Sequence, residues 1–378
     1  MRGVVAWLAA SSALVMTIVA CRVATTNGDE VDVDTTETNL SSLNRQKANA
    51  YIDDAAVSWV SKDDWGFVQG GRCVMSCHTT VPFMLLAGSR AMKADAGADA
   101  SASPDAGANT AVATVRGHVE SRVDDWANIS PLYNWVPKDS RGLEAILNAF
   151  ALVATDAPTG TLSSSAQTAL ENMWAEQNAD GSFPWWTTFT LAPWENGESG
   201  VWGAALAEHA VGLAPASYVA NMTASEKSKL ALLEQWLRTK ASSTTVPLHN
   251  RAMILLASSH RPTLLGSSVK SAIADAIRTK QAIDGSWPAS ALGFPVSGGA
   301  SAASSSHAYA TAYFSYVLAE NADPADATVV TKARQYLDTH QRNDGAWEAK
   351  SLNAPTEAFN NQLMTEAATA WGILASGR

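Results

Sequence analysis

Three short segments of the chain are nearly identical, and they constrain its fold more than any other feature. Residues 177–183, 281–287 and 341–347 share the pattern Gln-x-x-Asp-Gly-x-aromatic, in which the aromatic residue is Phe183, Trp287 or Trp347. Repeats of this kind indicate an array of similar units, because one unit cannot bury its own apolar face and must stack on its neighbours. We therefore predict a single repetitive domain for most of the 378 residues.

Apolar residues between these segments recur with helical spacing, in two kinds of predicted helix. The first kind has one charged face: residues 163–177, 224–240, 269–281 and 327–341. The second kind is apolar nearly all round and rich in small residues: residues 142–154, 200–213, 246–258, 307–320 and 363–375. A helix with a polar face lies at the surface, whereas one that is apolar all round is buried. Their alternation predicts a closed double ring of outer and inner helices.

Two further pairs near the N-terminus bring the number of pairs to six. They combine residues 44–60 with 78–92, and residues 111–125 with 142–154. The prediction is an all-α fold, an (α/α)6 toroid of six outer/inner helix pairs that spans residues 44–378. Residues 94–110 are rich in Ala, Asp, Gly and Ser and are predicted to be a low-complexity surface insert without function.

Each repeat segment has a structural explanation. The Gln ends an outer helix, where its amide can meet orphan carbonyls, and Asp-Gly supplies a turn in which Gly tolerates a positive φ. The aromatic ring then packs over the junction, so Trp287 and Trp347 are predicted to be core residues.

These endings resemble the QW motifs of the squalene-hopene cyclase and oxidosqualene cyclase family, whose toroid also occurs in protein prenyltransferase β-subunits. The resemblance implies the fold, but the chemistry of the family is not carried over. The DxDD acid motif is absent, since Asp32-Val33-Asp34-Thr35 lacks the final Asp and precedes the predicted toroid. No DDxxD magnesium motif occurs, and no Cys follows Cys77 to complete the zinc site of a prenyltransferase.

The N-terminus has the pattern of an export signal. Arg2 is followed by an apolar stretch over residues 4–20, and Ile18-Val19-Ala20-Cys21 resembles the bacterial lipobox, in which the signal is cleaved before a Cys that is then lipidated. We expect a signal peptide over residues 1–20, lipidation of Cys21 and a disordered tether over residues 21–43. This places the protein in the bacterial cell envelope, anchored to the lipid membrane and facing the periplasm or exterior. An ordinary cleaved signal and an uncleaved anchor are the alternatives.

A second motif, Cys73-Val74-Met75-Ser76-Cys77-His78, resembles the attachment site of c-type haem, with three residues between the Cys instead of two. Three interpretations stay open: covalent haem c on Cys73 and Cys77 with His78 as the metal ligand, a Cys73–Cys77 disulfide, or a zinc site of these three residues. His118 or Met84 would supply the second axial ligand of a haem.

Long connections leave the predicted outer helices, over residues 61–77, 181–199, 285–306 and 345–361. In a toroid they gather at the end where the inner helices begin, and binding sites usually lie on such loops. The positive ends of the inner helices point the same way and favour an anionic or carbonyl-bearing ligand. This rim carries an aromatic and acidic cluster of Trp185, Trp186, Trp194, Glu195 and Glu198.

The predicted inner helices contain polar residues within apolar stretches. Each alone is more often a satisfied structural group than a catalyst. Together, around one central cavity, they are candidate catalytic residues: Glu208, His209, His249, Asn250, Arg251, His307, Tyr309, Tyr313 and Glu366.

Charge and missing motifs exclude several functions. The net charge of −10, without a basic patch, argues against a nucleic-acid partner. No GxSxG, phosphate-binding loop or HExxH motif occurs. Two hypotheses remain, a membrane-anchored lipoprotein with a binding or electron-transfer role and haem at its rim, or an enzyme that acts on an isoprenoid or a glycan in the central cavity. Both imply a hydrophobic or carbohydrate small-molecule ligand.

Overall fold

The computed structural model describes residues 42–61, 75–95, 106–129, 136–187 and 191–377. Within these ranges the chain forms fourteen α-helices and three short 3-10 helices, without a strand. All of them belong to one compact unit, Thr38–Arg378. The predicted signal peptide, Cys21 and nearly all of the tether lie outside the described residues. No helix in the described part of the chain is long and apolar enough to cross a membrane.

Twelve of the helices form two concentric rings. The outer helices are α1 (Ser42–Ser61), α3 (Ala106–Asp124), α5 (Ser164–Ala175), α8 (Ala224–Ser242), α10 (Ser267–Arg278) and α13 (Ala327–Thr339). The inner helices are α2 (Thr80–Asp95), α4 (Pro137–Asp156), α6 (Gly200–Leu213), α9 (Leu248–His260), α12 (Ala308–Asn321) and α14 (Ala358–Ser376). Each inner helix contacts the next, and α14 contacts α2, so the inner ring is closed. The predicted (α/α)6 toroid is confirmed. Two short helices, α7 (Ala216–Asn221) and α11 (Gly299–Ser304), lie in connections and were not predicted.

Burial separates the two kinds of helix as the apolar pattern predicts. In α6 every residue from Val201 to Val211 is buried, whereas in α10 only Ile273, Ala274 and Ile277 are. The inner helices therefore form the core, and the outer helices bury one face against them.

Several helices begin at a polar side chain that satisfies a free backbone N–H. The Ser163 hydroxyl accepts a hydrogen bond from the Ala166 N–H at the start of α5. Thr223 and Glu226 form a reciprocal capping box at the start of α8. Such caps fix where α5 and α8 begin, because the first backbone N–H groups have no partner within the helix.

The glycines of the repeat segments adopt positive φ, +92° at Gly181, +86° at Gly285 and +91° at Gly345. A Cβ on any of them would approach the backbone of the next outer helix to 2.3–2.4 Å. Glycine is therefore required twice at each junction, by the left-handed conformation and by the close approach of the neighbouring helix.

The Gln of each repeat segment joins two successive outer helices, and the Trp lies in the core. Gln281 Nε2 donates to the Gly285 carbonyl at 2.9 Å and to the Val329 carbonyl of α13 at 2.8 Å. Gln177 and Gln341 make the equivalent pairs of bonds. The second acceptor lies near the start of the next outer helix, so it is not an orphan carbonyl of the kind predicted. Trp287 is fully buried, as is Trp347, which confirms their predicted place in the core.

The predicted insert is shorter than expected. α2 extends to Asp95 and α3 begins at Ala106, so both ends of the 94–110 segment are helical. Alanine has the highest helix propensity, which explains why this Ala-rich sequence extends both helices. Residues 96–105 lie outside the described residues.

Candidate ligand site at one end of the toroid

Aromatic and polar side chains meet at the end of the toroid where the inner helices begin. The Trp194 ring, on the connection before α6, lies 5.8 Å from the His78 ring and 5.3 Å from the Tyr309 ring, between centroids. Trp59, near the end of α1, packs edge-on against His78 at 4.6 Å. His249 Nε2 lies 2.8 Å from the Tyr309 hydroxyl. We call these five residues, Trp59, His78, Trp194, His249 and Tyr309, the mouth cluster.

His78 is held by a chain of hydrogen bonds that ends on α14. Its Nδ1 lies 2.7 Å from the Thr79 hydroxyl, which donates to Glu366 Oε2 at 2.5 Å. Gln362 Nε2 donates to the other oxygen of Glu366 at 2.8 Å. All of Thr79, Glu366 and His78 are buried. Burial lowers the pKa of His78 to about 3, so the imidazole is neutral at physiological pH.

A second chain fixes His249 and Tyr309. The Asn250 amide donates to the Glu198 carbonyl at 2.8 Å, which leaves Asn250 Oδ1 as the acceptor for His249 Nδ1 at 2.9 Å. His249 Nε2 is then the acceptor for the Tyr309 hydroxyl. Burial lowers the pKa of His249 to about 4, and burial together with the nearby Tyr313 raises the pKa of Tyr309 well above 10. The pair is a neutral imidazole and a neutral phenol.

The predicted rim tryptophans have different roles. Trp185 donates to the Trp194 carbonyl at 2.9 Å and its ring occupies the space above Gly203, where a Cβ would approach it to 2.2 Å. Trp186 donates to the Ser140 hydroxyl at 3.0 Å. These two residues hold the connection against the inner helices, and Trp194 is the one of the three in the mouth cluster.

The two rim acids also differ. Glu195 follows Trp194 and is half-buried, and burial raises the pKa of its carboxyl to about 7. Glu198 is exposed, and its backbone carbonyl rather than its side chain takes part in the site.

The structure divides the predicted cavity residues between the two ends of the toroid. The Trp202 ring stacks with the His249 ring at a centroid distance of 6.4 Å, so these two residues lie at the same height along the toroid axis. His209 follows seven residues later on the same helix, about 10 Å further along the axis at 1.5 Å per residue. Its ring lies against Phe150 and His260 instead, and neither of its nitrogens has a hydrogen-bond partner. Helical register alone separates His209 from His249.

Glu208 belongs to an ion-pair network at that far end. Arg261 donates to Glu208 Oε1 at 3.1 Å and to Glu234 Oε1 at 2.7 Å. Burial, only partly offset by Arg261, raises the pKa of Glu208 to about 7.

His307 and Arg251 do not join the mouth cluster through any hydrogen bond. His307 Nδ1 accepts from the Ala310 N–H and caps α12, and its Nε2 lies 2.8 Å from the Lys350 carbonyl, so both ring nitrogens are occupied. Arg251 is half-buried, forms no ion pair with any described residue, and has its pKa lowered by burial. The predicted residues that meet at the mouth are His78, Trp194, His249, Asn250, Tyr309, Tyr313 and Glu366.

The haem motif is described only in part, because Cys73 lies outside the described residues. Cys77 and His78 are buried. The His78 ring is flanked by Trp59 and Trp194, and its Nδ1 is engaged by the Thr79 hydroxyl. Nε2 is therefore the only nitrogen of His78 that a metal could bind.

The positions of Met84 and His118 give no support to their predicted role as the second axial ligand of a haem. Met84 is fully buried on the inner helix α2, and His118 lies on the outer helix α3. No group of three or more His, Cys, Asp or Glu side chains within the described ranges is arranged to hold a metal ion. The haem, disulfide and zinc hypotheses for Cys73, Cys77 and His78 stay predictions.

Two functional residues of the site carried no signal in the sequence. Thr79 directly follows the Cys/His motif, but its partner Glu366 is 287 positions away. Trp59 lies on a predicted outer helix, where an aromatic residue indicates packing and nothing more.

Comparison with known proteins shows the fold. A possible member of the GH105 family from Salmonella enterica is 13% identical with a TM-score of 0.53, over 88% of this chain and 93% of that one. A type II terpene cyclase from Scytonema, solved with geranylgeranyl dihydroxybenzoate as substrate, is 13% identical with a TM-score of 0.50, over 89% and 99%. An ent-copalyl diphosphate synthase from Streptomyces platensis is 15% identical with a TM-score of 0.48, and the match covers 79% of this chain but half of that one.

No family model matches the chain, and no curated protein matches it in sequence. At identities this low, structural likeness extends to architecture and not to activity. The chain has the α/α toroid fold that both terpene cyclases and glycoside hydrolases use.

Proposed function

We propose that this protein binds a hydrophobic small molecule of the isoprenoid class at the mouth cluster. The observation that carries the proposal is the composition of that cluster. Two indoles, a phenol and two imidazoles converge there from α1, the start of α2, the connection before α6, α9 and α12. The polar groups are neutral, because burial keeps His78 and His249 unprotonated and Tyr309 protonated.

An isoprenoid suits this surface better than a glycan. A sugar presents many hydroxyl groups, each of which needs a hydrogen-bond partner once it is buried. The mouth cluster offers large ring faces and few polar atoms, which is the usual lining of a site for an apolar ligand. The Scytonema cyclase with a geranylgeranyl compound in the same fold supports this choice.

Cyclisation by protonation of an alkene is not part of the proposal. That reaction needs a strong acid, and the DxDD motif that supplies it in the cyclase family is absent. The half-buried acid beside the cluster, Glu195, has a pKa of about 7 and is too weak for this role.

The test is equilibrium dialysis of the full chain with farnesol and, in parallel, with maltohexaose. We expect saturable binding of farnesol and none of the sugar. Trp194→Ala should weaken farnesol binding about 10-fold or more, because it removes a ring at the centre of the cluster. Trp126→Ala is the matched control, since Trp126 stacks on Arg141 and has no ring contact with the cluster. Absence of saturable farnesol binding, or equal losses in the two variants, would contradict the proposal.

Glu195 favours a second candidate function, acid–base catalysis on a polar group of the bound ligand. A carboxyl with a pKa of about 7 can both donate and accept a proton at neutral pH. If farnesol or an ester of it is converted, the rate should titrate near pH 7, and Glu195→Gln should remove turnover while ligand affinity is retained. Turnover that survives Glu195→Gln would exclude this role.

A further inference from the structure

The hydrogen bonds around His78 determine which of its nitrogens carries the proton. The Thr79 hydroxyl has one hydrogen, and it is donated to Glu366 Oε2. Toward His78 the same oxygen can only accept, so the hydrogen of the neutral imidazole is on Nδ1. Gln362 holds the second oxygen of Glu366 and keeps the carboxylate in place for Thr79. His78 Nε2 is therefore a hydrogen-bond acceptor of fixed position.

No described residue donates a hydrogen bond to this acceptor, and unlike the fully buried unpaired atoms of the protein it is accessible to solvent, since 8% of the His78 surface is exposed. On the neighbouring ring, the Trp194 indole Nε1 is buried and lacks a hydrogen bond. The Trp194 indole is close enough to the Tyr309 hydroxyl to lower the pKa of that phenol slightly, against the larger effect of burial. The two residues nevertheless form no hydrogen bond of standard geometry. Buried polar groups normally have partners, so the buried Trp194 donor, together with the accessible His78 acceptor on the neighbouring ring, favours a polar group that is supplied from outside.

One hydroxyl group can satisfy both rings. It donates one hydrogen bond and accepts others, with oxygen about 2.8–3.0 Å from each partner. The ring centroids of His78 and Trp194 are 5.8 Å apart, so the two rings are neighbours. One bridging oxygen requires their two nitrogens to lie no more than about 6 Å apart. An ether or a ketone could accept from the indole but has no hydrogen for the imidazole.

We infer that the mouth cluster selects an alcohol, whose hydroxyl donates to His78 Nε2 and accepts from Trp194 Nε1 while its apolar chain lies on the aromatic rings. This inference rests on the proposed binding of a hydrophobic ligand and adds the polar group by which that ligand is recognised. Thr79 and Glu366 are positioning residues, since they act on the ligand only through the tautomer of His78.

The experiment compares farnesol with farnesyl methyl ether, which differs by replacement of the hydroxyl hydrogen. In equilibrium dialysis with the full chain, we expect the alcohol to bind at least 10-fold more tightly than the ether. Thr79→Val removes the hydroxyl at nearly constant volume, frees the His78 tautomer and should reduce this ratio below 3-fold. Thr79→Ser keeps the hydroxyl and should preserve the ratio, which makes it the matched control.

A second pair of variants protects the test against loss of folding at Thr79. His78→Phe removes both ring nitrogens and should abolish the preference, whereas His78→Gln places a side-chain amide near the position of Nε2 and should restore part of it. Thermal unfolding of each variant shows whether the toroid is intact. These readouts follow ligand preference, which a purely structural role of His78 would leave unchanged.

Each outcome decides between the two proposals. Equal affinity for alcohol and ether in the wild-type protein would leave the hydrophobic site standing and overturn the inference about the hydroxyl. A preference that persists above 10-fold in folded Thr79→Val and His78→Phe would assign the recognition to another group and also overturn it. If neither compound binds, the proposed function is wrong and the inference fails with it.

Discussion

Gln341 Nε2 donates to the backbone carbonyl of Asn44 at 3.1 Å, across 297 positions of the sequence. The bond joins the end of α13, the last outer helix, to α1, the first. The same amide donates to the Gly345 carbonyl at 2.8 Å, so one side chain holds both its own turn and the neighbouring helix. The outer ring is closed at this junction by the same contact that Gln177 and Gln281 make within the chain.

Gly345→Ala should destabilise the protein strongly, because Gly345 combines a φ of +91° with an approach of 2.4 Å between its hypothetical Cβ and the Ala48 nitrogen. The left-handed conformation alone costs an alanine about 1–2 kcal/mol, and displacement of α1 should add about 1–3 kcal/mol.

Gly160→Ala is the matched control. Gly160 has a φ of +72° with no atom within 4 Å of a Cβ, so it measures the conformational cost alone. Urea unfolding of the two variants gives the difference. Equal losses of unfolding free energy would show that the junction tolerates displacement of α1.

The buried histidines should make the protein less stable in acid. The folded-state pKa of His249 is about 4 against an ordinary value of 6.5, so between these values the unfolded chain binds the proton and the folded chain does not. This contribution is fully present above pH 6.5 and is lost as the pH falls toward 4. Glutamine does not titrate, so the unfolding free energy of His249→Gln should fall less than that of the wild type between pH 7.5 and pH 5, by about 2 kcal/mol.

Glu208 has the opposite sign and provides an internal check. Its folded-state pKa is raised from 4.5 to about 7, so the folded protein binds the extra proton and loses stability as the pH rises from 4.5 to 7. The unfolding free energy of Glu208→Gln should therefore increase relative to that of the wild type as the pH rises over that interval. Denaturant unfolding at half-unit steps of pH measures both differences, and two slopes of the same sign would contradict the burial argument.

For the Cys/His motif we expect a Cys73–Cys77 disulfide, which the predicted oxidising cell envelope favours. We expect no haem, because Trp59 and Trp194 flank the His78 imidazole and Thr79 engages its Nδ1. Haem iron would require the same Nε2 that we assign to a ligand hydroxyl. Protein from cells with a c-type maturation system should show no Soret band, and peptide mass spectrometry should find the two Cys joined. A covalently attached haem whose low-spin spectrum is lost on replacement of His78 would refute this expectation.

The membrane anchor stays a prediction from residues outside the described ranges. Cys21→Ser should block lipidation and shift the protein from the membrane fraction to the soluble fraction, since one lipid tether is then missing. Fractionation and mass spectrometry of the mature N-terminus measure this. A cleaved variant that remains bound to membranes would show that Cys21 is not the anchor.

The sequence alone determined the architecture, because the architecture depends on local and periodic features. Asp-Gly at three junctions fixed the positive φ that Gly285 and its equivalents adopt, and the contrast between helices such as α6 and α10 fixed which ring each belongs to. Helix ends were less certain, as the extension of α2 and α3 into the predicted insert shows. Propensity and burial pattern act over a few turns, so they can be read without knowledge of the whole fold.

The site was decided by tertiary structure. Residues that look alike in sequence, His209 and His249, lie at opposite ends of the toroid because helical register sets the height of each one. Thr79 and Glu366 meet because α14 closes the ring against α2. Which nitrogen of His78 accepts a hydrogen bond follows from that one contact, and no local pattern encodes a contact between residues 287 positions apart.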